Sequence, residues 1–323
     1  MTGGHDPSTT IDPVADLENA AWALAAVIAT CRDAAQGSLA EALVADPNRT
    51  AVLEAAGLAR RTGDGIAPHA ALPDGEMAGN AAAARLSSLR QAVGCAAGEV
   101  HRGWAEQPDE VHRGWAAQPD EVLLDQGHAS AATGRAIATR LVPTLAGLTD
   151  RLAVPGSRVL DVGTGVAALA VALVRELPHI RVTAVDSMER AVGLARTELK
   201  QAGPEAERVE LRHQDVADLR EPGAYDLIWL PAPFLSEESL TAALPHIVDA
   251  IAPGGWLVAG TNPAPSGELA AAVARWQAIR NGGNSLDADR MATTLRDLGL
   301  AHVDQRPTAP GGPVLVVGER PRS

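Results

Sequence analysis

RVLDVGTGVAALAVALVRELPHIRVTAVDS, residues Arg158 to Ser187, decides the fold. Arg158–Val162 has the short apolar run of a strand buried on both faces. A turn carrying Gly163 and Gly165 follows, then a helix in alanine, valine and leucine, with Pro178 just beyond its end. A second strand ends at Asp186. A right-handed strand–helix–strand unit puts its glycine turn at the carboxyl edge of a parallel sheet, where ligands bind. Two carboxylates, Asp161 and Asp186, flank that edge, so the stretch predicts a nucleotide-type cofactor crevice.

Charge sorts the candidate ligands. Residues Gly163 to Ala168 also fit the loose dinucleotide pattern G-x-G-x-x-G/A, which brings nicotinamide and flavin cofactors into question. Asp161, two residues before the first glycine, would repel a pyrophosphate. S-adenosylmethionine carries an ammonium and a sulfonium and has no phosphate, so the same carboxylate favours it. Asp186 is placed to accept hydrogen bonds from ribose hydroxyls with either ligand.

Five segments extend this pattern: VLDVGTGVAAL (159–169), TAVDS (183–187), LRHQDVADL (211–219), YDLIWLP (Tyr225–Pro231) and IAPGGWLVAG (251–260). In order and spacing they resemble the class I S-adenosylmethionine-dependent methyltransferases, over roughly the C-terminal half of the chain. The resemblance implies a Rossmann-like α/β fold, a seven-stranded mostly parallel sheet with an antiparallel final strand. It implies S-adenosylmethionine as cofactor, held by Asp161, Gly163, Gly165, Asp186, Ser187, Asp215, Val216 and Leu230. Within that set Asp215 faces the adenine amino group and the Val216 N–H a ring nitrogen. The family's turn often reads D-x-G-x-G-x-G; its last glycine is Ala167 here, whose methyl narrows the space for the methionine end.

Composition bounds the rest. A chain of 323 residues suggests two domains, and 46% hydrophobic residues supply aliphatic cores, with one Phe and one Tyr. A net charge of −13 argues against a nucleic-acid partner, which calls for a basic surface. Cys31 and Cys95 form no paired framework, and no metal site is expected. The first residues lack the basic start and apolar core of a signal peptide, and no apolar run is read as the roughly 18 residues of a membrane span. The expectation is a cytoplasmic protein acting on a small molecule, with no membrane partner.

Residues 1–13 read as a disordered lead-in. Residues 14–121 read as a mainly helical N-terminal domain. Its first helix spans 14–35 with Leu17, Trp22, Leu24, Val27 and Ile28 on an apolar face. A second starts at the Ser38 cap with Glu41 at the capping-box position, and a third follows Pro47. A hairpin turns at Gly63-Asp64-Gly65. Residues 73–80 read as a linker before another helix. Helices followed by a small hairpin resemble the winged-helix-like N-terminal domains of two-domain small-molecule methyltransferases, which implies a homodimer formed through this domain. An 11-residue tandem duplication fills 99–120: EVHRGWAEQPD, then EVHRGWAAQPD, differing only at Glu106 and Ala117. Two copies are too few for a solenoid. One copy is expected to suffice for the fold, and Trp104 or Trp115 to wall a substrate pocket. Residues 122–323 are then the methyltransferase domain.

Methyl transfer from a sulfonium asks the protein mainly to align the nucleophile and exclude water; a base is needed only for a protonated acceptor. After the fourth strand the plant-type O-methyltransferases carry a catalytic His and the amino methyltransferases Asn-Pro-Pro-Tyr. This chain has Leu230-Pro231-Ala232-Pro233-Phe234 there. His128 and His246 remain the candidate bases, and Pro231 to Leu235 an apolar substrate wall. The function expected is methyl transfer to oxygen or carbon of a small hydrophobic metabolite in a secondary pathway. The alternatives are the same fold doing cyclisation or decarboxylation with a spectator cofactor, or a non-enzymatic regulator that binds an S-adenosyl ligand.

Overall fold

A computed structural model describes residues 12–63, 65–97, 114–263, 267–284, 286–308 and 313–322. The chain divides into two compact units, Met1–Leu86 and Ser87–Ser323. The division falls inside a helix, upstream of the 121/122 boundary expected from sequence.

The first unit holds helices α1 (Pro13–Gln36), α2 (Leu39–Ala45) and α3 (Pro47–Ala55), the strands β1 (Ala59–Thr62) and β2 (Gly65–Pro68), and the start of α4 (Gly75–Ala96). Asp12 caps α1 through the Val14 and Ala15 N–H groups. Ser38 and Glu41 form the expected capping box on α2. β1 and β2 pair antiparallel as the predicted hairpin. Two expectations need correction. Residues 75–80 are helix rather than linker: Asp74 accepts from the Gly75 N–H, and Gly79 lets the helix lie against Ala35. The buried side of α1 is Ala26, Val27, Cys31 and Ala34, packed with Leu39, Leu43 and Leu53, whereas Leu17 and Trp22 are 62% and 75% exposed. By length and composition α1 could also cross a membrane, against the sequence expectation. Its second half is a core helix of this unit.

The second unit is the α/β fold. Helices α5 (Asp120–Ala136) and α6 (Leu148–Leu152) precede β3 (Arg158–Val162), α7 (Ala168–Glu176), β4 (Arg181–Asp186), α8 (Glu189–Gln201), β5 (Val209–His213) and β6 (Tyr225–Pro231). Then come α9 (Glu237–Ala250), β7 (Ile251–Pro263), α10 (Glu268–Arg280), α11 (Ala288–Asp297), β8 (Ala301–Pro307) and β9 (Pro313–Glu319). The sheet order is β5-β4-β3-β6-β7-β9-β8. The first five strands run parallel, and β9 runs antiparallel to β7 and β8. The order reverses beside β3, which makes the crevice at its carboxyl end a topological switch point.

Alternation within the strands feeds two cores. Val159, Leu227, Trp229 and Val258 face α7 and the end of α5, while Leu160, Ile228, Leu230 and Leu257 face α9 and α11. Burial on both faces explains the near-continuous apolar strands. At the opposite edge from the crevice, Glu221 accepts from Arg158, Arg212 and Tyr225 and ties β3, β5 and β6 together. Burial raises the Glu221 carboxyl, and these three donors outweigh it, holding it down at about 2.

Candidate active site

The crevice is built on three successive left-handed turns of backbone. Gly163, Gly165 and Ala167 have φ of 61°, 58° and 65°. The first two are glycine for the usual steric reason, and at Gly165 an added Cβ would meet nothing within 4 Å, so the chain leaves open space there. Ala167 is the unusual one, because a Cβ in this region costs roughly 1–2 kcal/mol. Its methyl is fully buried in the cluster with Ile137, Leu169 and Trp229. It therefore packs into the core and does not narrow the methionine end. Relief of strain and loss of that methyl contact, each about 1 kcal/mol, offset one another in Ala167→Gly. Thermal melting is expected to move by less than roughly 3 °C, with affinity for S-adenosylhomocysteine unchanged by calorimetry.

Asp161 lies at the end of β3 with 1% of its surface exposed. Its Oδ2 accepts the Thr164 hydroxyl at 2.6 Å. Burial pushes its carboxyl up to about 7; the Thr164 bond opposes this and the charge on Asp186 adds to it. Asp186, at the end of β4, accepts the Gly165 N–H and the Met188 N–H, both at 2.9 Å. Its carboxyl is also raised by burial, against those two N–H groups and His213. Asp215 follows β5, exposed, and accepts the Ala217 N–H at 2.8 Å. Val216 is buried beside it, and Ser187 is exposed with its carbonyl bonded to His213 at 3.0 Å. Leu230 has its side chain fully buried in the core, so only its backbone belongs to the crevice. All eight expected cofactor residues thus stand at the carboxyl ends of β3 to β6.

These residues fit S-adenosylmethionine. A buried carboxyl that titrates about 3 units high is poised to ionise against a cation. The glycines leave room for backbone approach, and each Asp186 oxygen keeps a lone pair for a ribose hydroxyl. Among the described residues Asp161 and Asp186 bond to Thr164, Gly165 and Met188, and to no lysine or arginine that would welcome a pyrophosphate.

Helix α5 closes one side through small residues. A Cβ on Gly127 would sit 2.2 Å from Val166 Cγ2, and one on Gly134 2.7 Å from the Leu169 carbonyl oxygen. The neighbouring His128 is turned elsewhere: its Nε2 pairs with Glu198 at 2.7 Å, and it is 46% exposed. α8 leaves the crevice at Glu189, so Glu198 lies roughly 13 Å along it. His128 is thereby engaged with α8. His246 sits half-buried in α9 among scaffold residues.

Two segments expected from the sequence to wall a substrate, the repeat with Trp115 and Pro231 to Leu235, lie against each other. Trp115, on the turn Gly114–Ala117, meets Phe234 edge-on at 5.2 Å. Trp104 and the first repeat copy lie outside the described residues. The second copy is anchored. Gly114, at φ 62°, has no room for a Cβ against the Asn281 carbonyl, and Arg190 bonds to the Gln118 carbonyl and pairs with Asp120. Gln118 donates to Asn281, which donates to Gln91. Asn284 holds the Ala232 and Leu235 carbonyls. Removing either copy leaves the same sequence apart from Glu or Ala at the exposed Ala117 position. Deletion of 99–109 is expected to leave the melting temperature within about 2 °C.

Residues 159–255 match the family model described as "Methyltransferase domain". This segment is a methyltransferase domain. A release factor glutamine methyltransferase from Rhodopirellula baltica is 36% identical over 114 residues, 35% of this chain and 37% of its own length. The chain thus spans little more than a third of that curated relative. An O-methyltransferase family protein from Burkholderia thailandensis superposes with a TM-score of 0.61 at 20% identity, covering 97% of this chain and 99% of its own. Human N-acetylserotonin methyltransferase, solved with S-adenosylmethionine, gives 0.62 at 15% identity, covering 99% and 100%. Both superpositions cover the helical N-terminal unit as well as the α/β unit.

Proposed function

We propose that the chain transfers a methyl group from S-adenosylmethionine to oxygen or carbon of a small hydrophobic metabolite in a secondary pathway. The observation that carries this is the buried Asp161 beside an open glycine turn, with Asp186 and Asp215 on the adjoining strand ends. When bound, S-adenosylmethionine supplies a methyl on a sulfonium, a leaving group that needs no further activation. The chain's own share is to hold the amino-acid end at Asp161 and the ribose at Asp186, and to keep water out with α5 and the Trp115–Phe234 wall. The acceptor–methyl bond forms as the sulfur–methyl bond breaks, and the acceptor's proton leaves to solvent.

Alignment rather than a protein base does the work in this reading, because His128 is held by Glu198. His128→Ala is expected to keep turnover within about threefold, as for loss of an exposed ion pair. A drop of a hundredfold in kcat would restore it as the base. Glutamine methylation is not adopted from the matched relative: residues 230–233 read Leu-Pro-Ala-Pro instead of Asn-Pro-Pro-Tyr. The exposed Val14, Leu17 and Trp22 of α1 support a homodimer through the N-terminal unit.

Mass spectrometry tests the activity. Product one methylene heavier than the acceptor, with S-adenosylhomocysteine released, supports transfer. A product of unchanged carbon count would favour the spectator-cofactor chemistry, and failure to bind either S-adenosyl compound would favour a regulator.

A further inference from the structure

Two buried groups beside the Trp115–Phe234 wall have donors and nothing to give them to. Arg280, the last residue of α10, is 6% exposed, and its Nε and one terminal nitrogen are enclosed without a partner among the described residues. The indole Nε1 of Trp115 is likewise enclosed and unpartnered. The backbone beside each of them lies close together. Asn281 follows Arg280 directly, and its carbonyl lies so close to Gly114, the residue before Trp115, that an added Cβ would sit 2.3 Å away. Gly283, two residues on, touches the Pro233 carbonyl next to Phe234. The next residue, Asn281, is fixed between Gln91 at 2.9 Å and Gln118 at 3.2 Å.

A buried guanidinium without a counter-charge is costly, and natural proteins keep such groups where a ligand completes them. All the orphans are donors, so the missing group is an acceptor. The planar fork of an arginine matches a carboxylate, and the edge-to-face aromatic pair suits a flat ring. We propose that Arg280, with the Trp115 N–H, recognises a carboxylate on the acceptor, so that the substrate class is an aromatic acid. This rests on the methyltransferase reading above and narrows its acceptor.

The test is calorimetry on the full chain saturated with S-adenosylhomocysteine. Hydroxylated aromatic carboxylic acids of one, two and three fused rings are titrated against their primary carboxamides, which keep shape and lose charge. At least one acid is expected to bind about tenfold or more tighter than its amide, the size of a charge-assisted hydrogen bond. Arg280→Met should bring that ratio below about twofold, Trp115→Phe should lower it partway, and S-adenosylhomocysteine affinity should stay unchanged in both. Without ligand, Arg280→Met should melt roughly 3 °C higher, because an unpaired buried charge is gone. A preference that survives Arg280→Met, an acid never preferred in any pair, or a melting temperature lower by that amount overturns the proposal. Loss of S-adenosylhomocysteine binding by the parent chain would instead overturn the methyltransferase reading.

Discussion

Asp161→Asn is expected to weaken S-adenosylmethionine binding by about 10- to 100-fold while making the ligand-free chain more stable in alkali. The first effect is loss of a buried charge-assisted contact to the cationic end of the ligand. The second follows from linkage. The Asp161 carboxyl titrates at about 7 in the folded chain against 3.8 as the ordinary value. A carboxyl raised on folding leaves stability complete below pH 3.8, and that stability is lost as pH rises through 7. The full loss is at most about 4 kcal/mol, from roughly 3 units at 1.36 kcal/mol each. Asparagine cannot ionise, so the variant should melt several degrees above the parent at about pH 9 and near it at about pH 4. The same linkage predicts that parent affinity for S-adenosylmethionine rises up to about tenfold per pH unit between roughly pH 5 and 7, as binding ceases to expel a proton. Parallel calorimetry and melting across pH check both effects. A variant less stable than the parent at high pH would contradict the buried, costly carboxylate.

Gly127→Ala should be nearly as damaging, through geometry alone. Its Cβ would meet Val166 Cγ2 at 2.2 Å and two further Val166 carbons within 3.3 Å. Val166 is part of the glycine turn and 1% exposed, so neither side has room to give. The helix must move off the crevice, at a cost of about 1–3 kcal/mol and roughly 3–10 °C in melting temperature. S-adenosylhomocysteine affinity should fall with it. Gly193, on the exposed side of α8, has nothing within 4 Å of an added Cβ and serves as the control. Gly193→Ala should be neutral or slightly stabilising. Equal melting of the two variants would show that α5 does not seal the turn.

The sheet was legible because its strands are buried on both faces and therefore read as apolar runs, each closed by a turn residue. That pattern also placed Asp161, Asp186 and Asp215 at strand ends, whereas the adenine-facing role of Asp215 is what the family resemblance implies. The wall opposite was legible only in part: Trp115 and Pro231 to Leu235 were read as lining it, and Arg280, Asn281 and Asn284 were not. Trp115, Arg280, Asn281 and Asn284 come from segments far apart in sequence, and no periodicity links an arginine before Asn-Gly-Gly-Asn to a tryptophan in a repeat. The side-chain partner of His128 was hidden for a related reason. Spacing puts it beside Gly127 on the sealing helix, and only the contact with Glu198 reveals where its ring is drawn. The exposed Leu17 and Trp22 belong to the apolar face read from the sequence, and an amphipathic pattern marks such a face without naming what covers it.

The central claim is that this crevice selects a cationic sulfonium nucleoside over a dinucleotide phosphate. Titration of the full chain with S-adenosylmethionine and with NADH, under one buffer near neutral pH, tests it most directly. The predicted result is saturable binding of S-adenosylmethionine, weakened by Asp161→Asn, with no detectable heat from NADH. Saturable binding of NADH by the parent chain at least as tight as that of S-adenosylmethionine, and unchanged by Asp161→Asn, would contradict it.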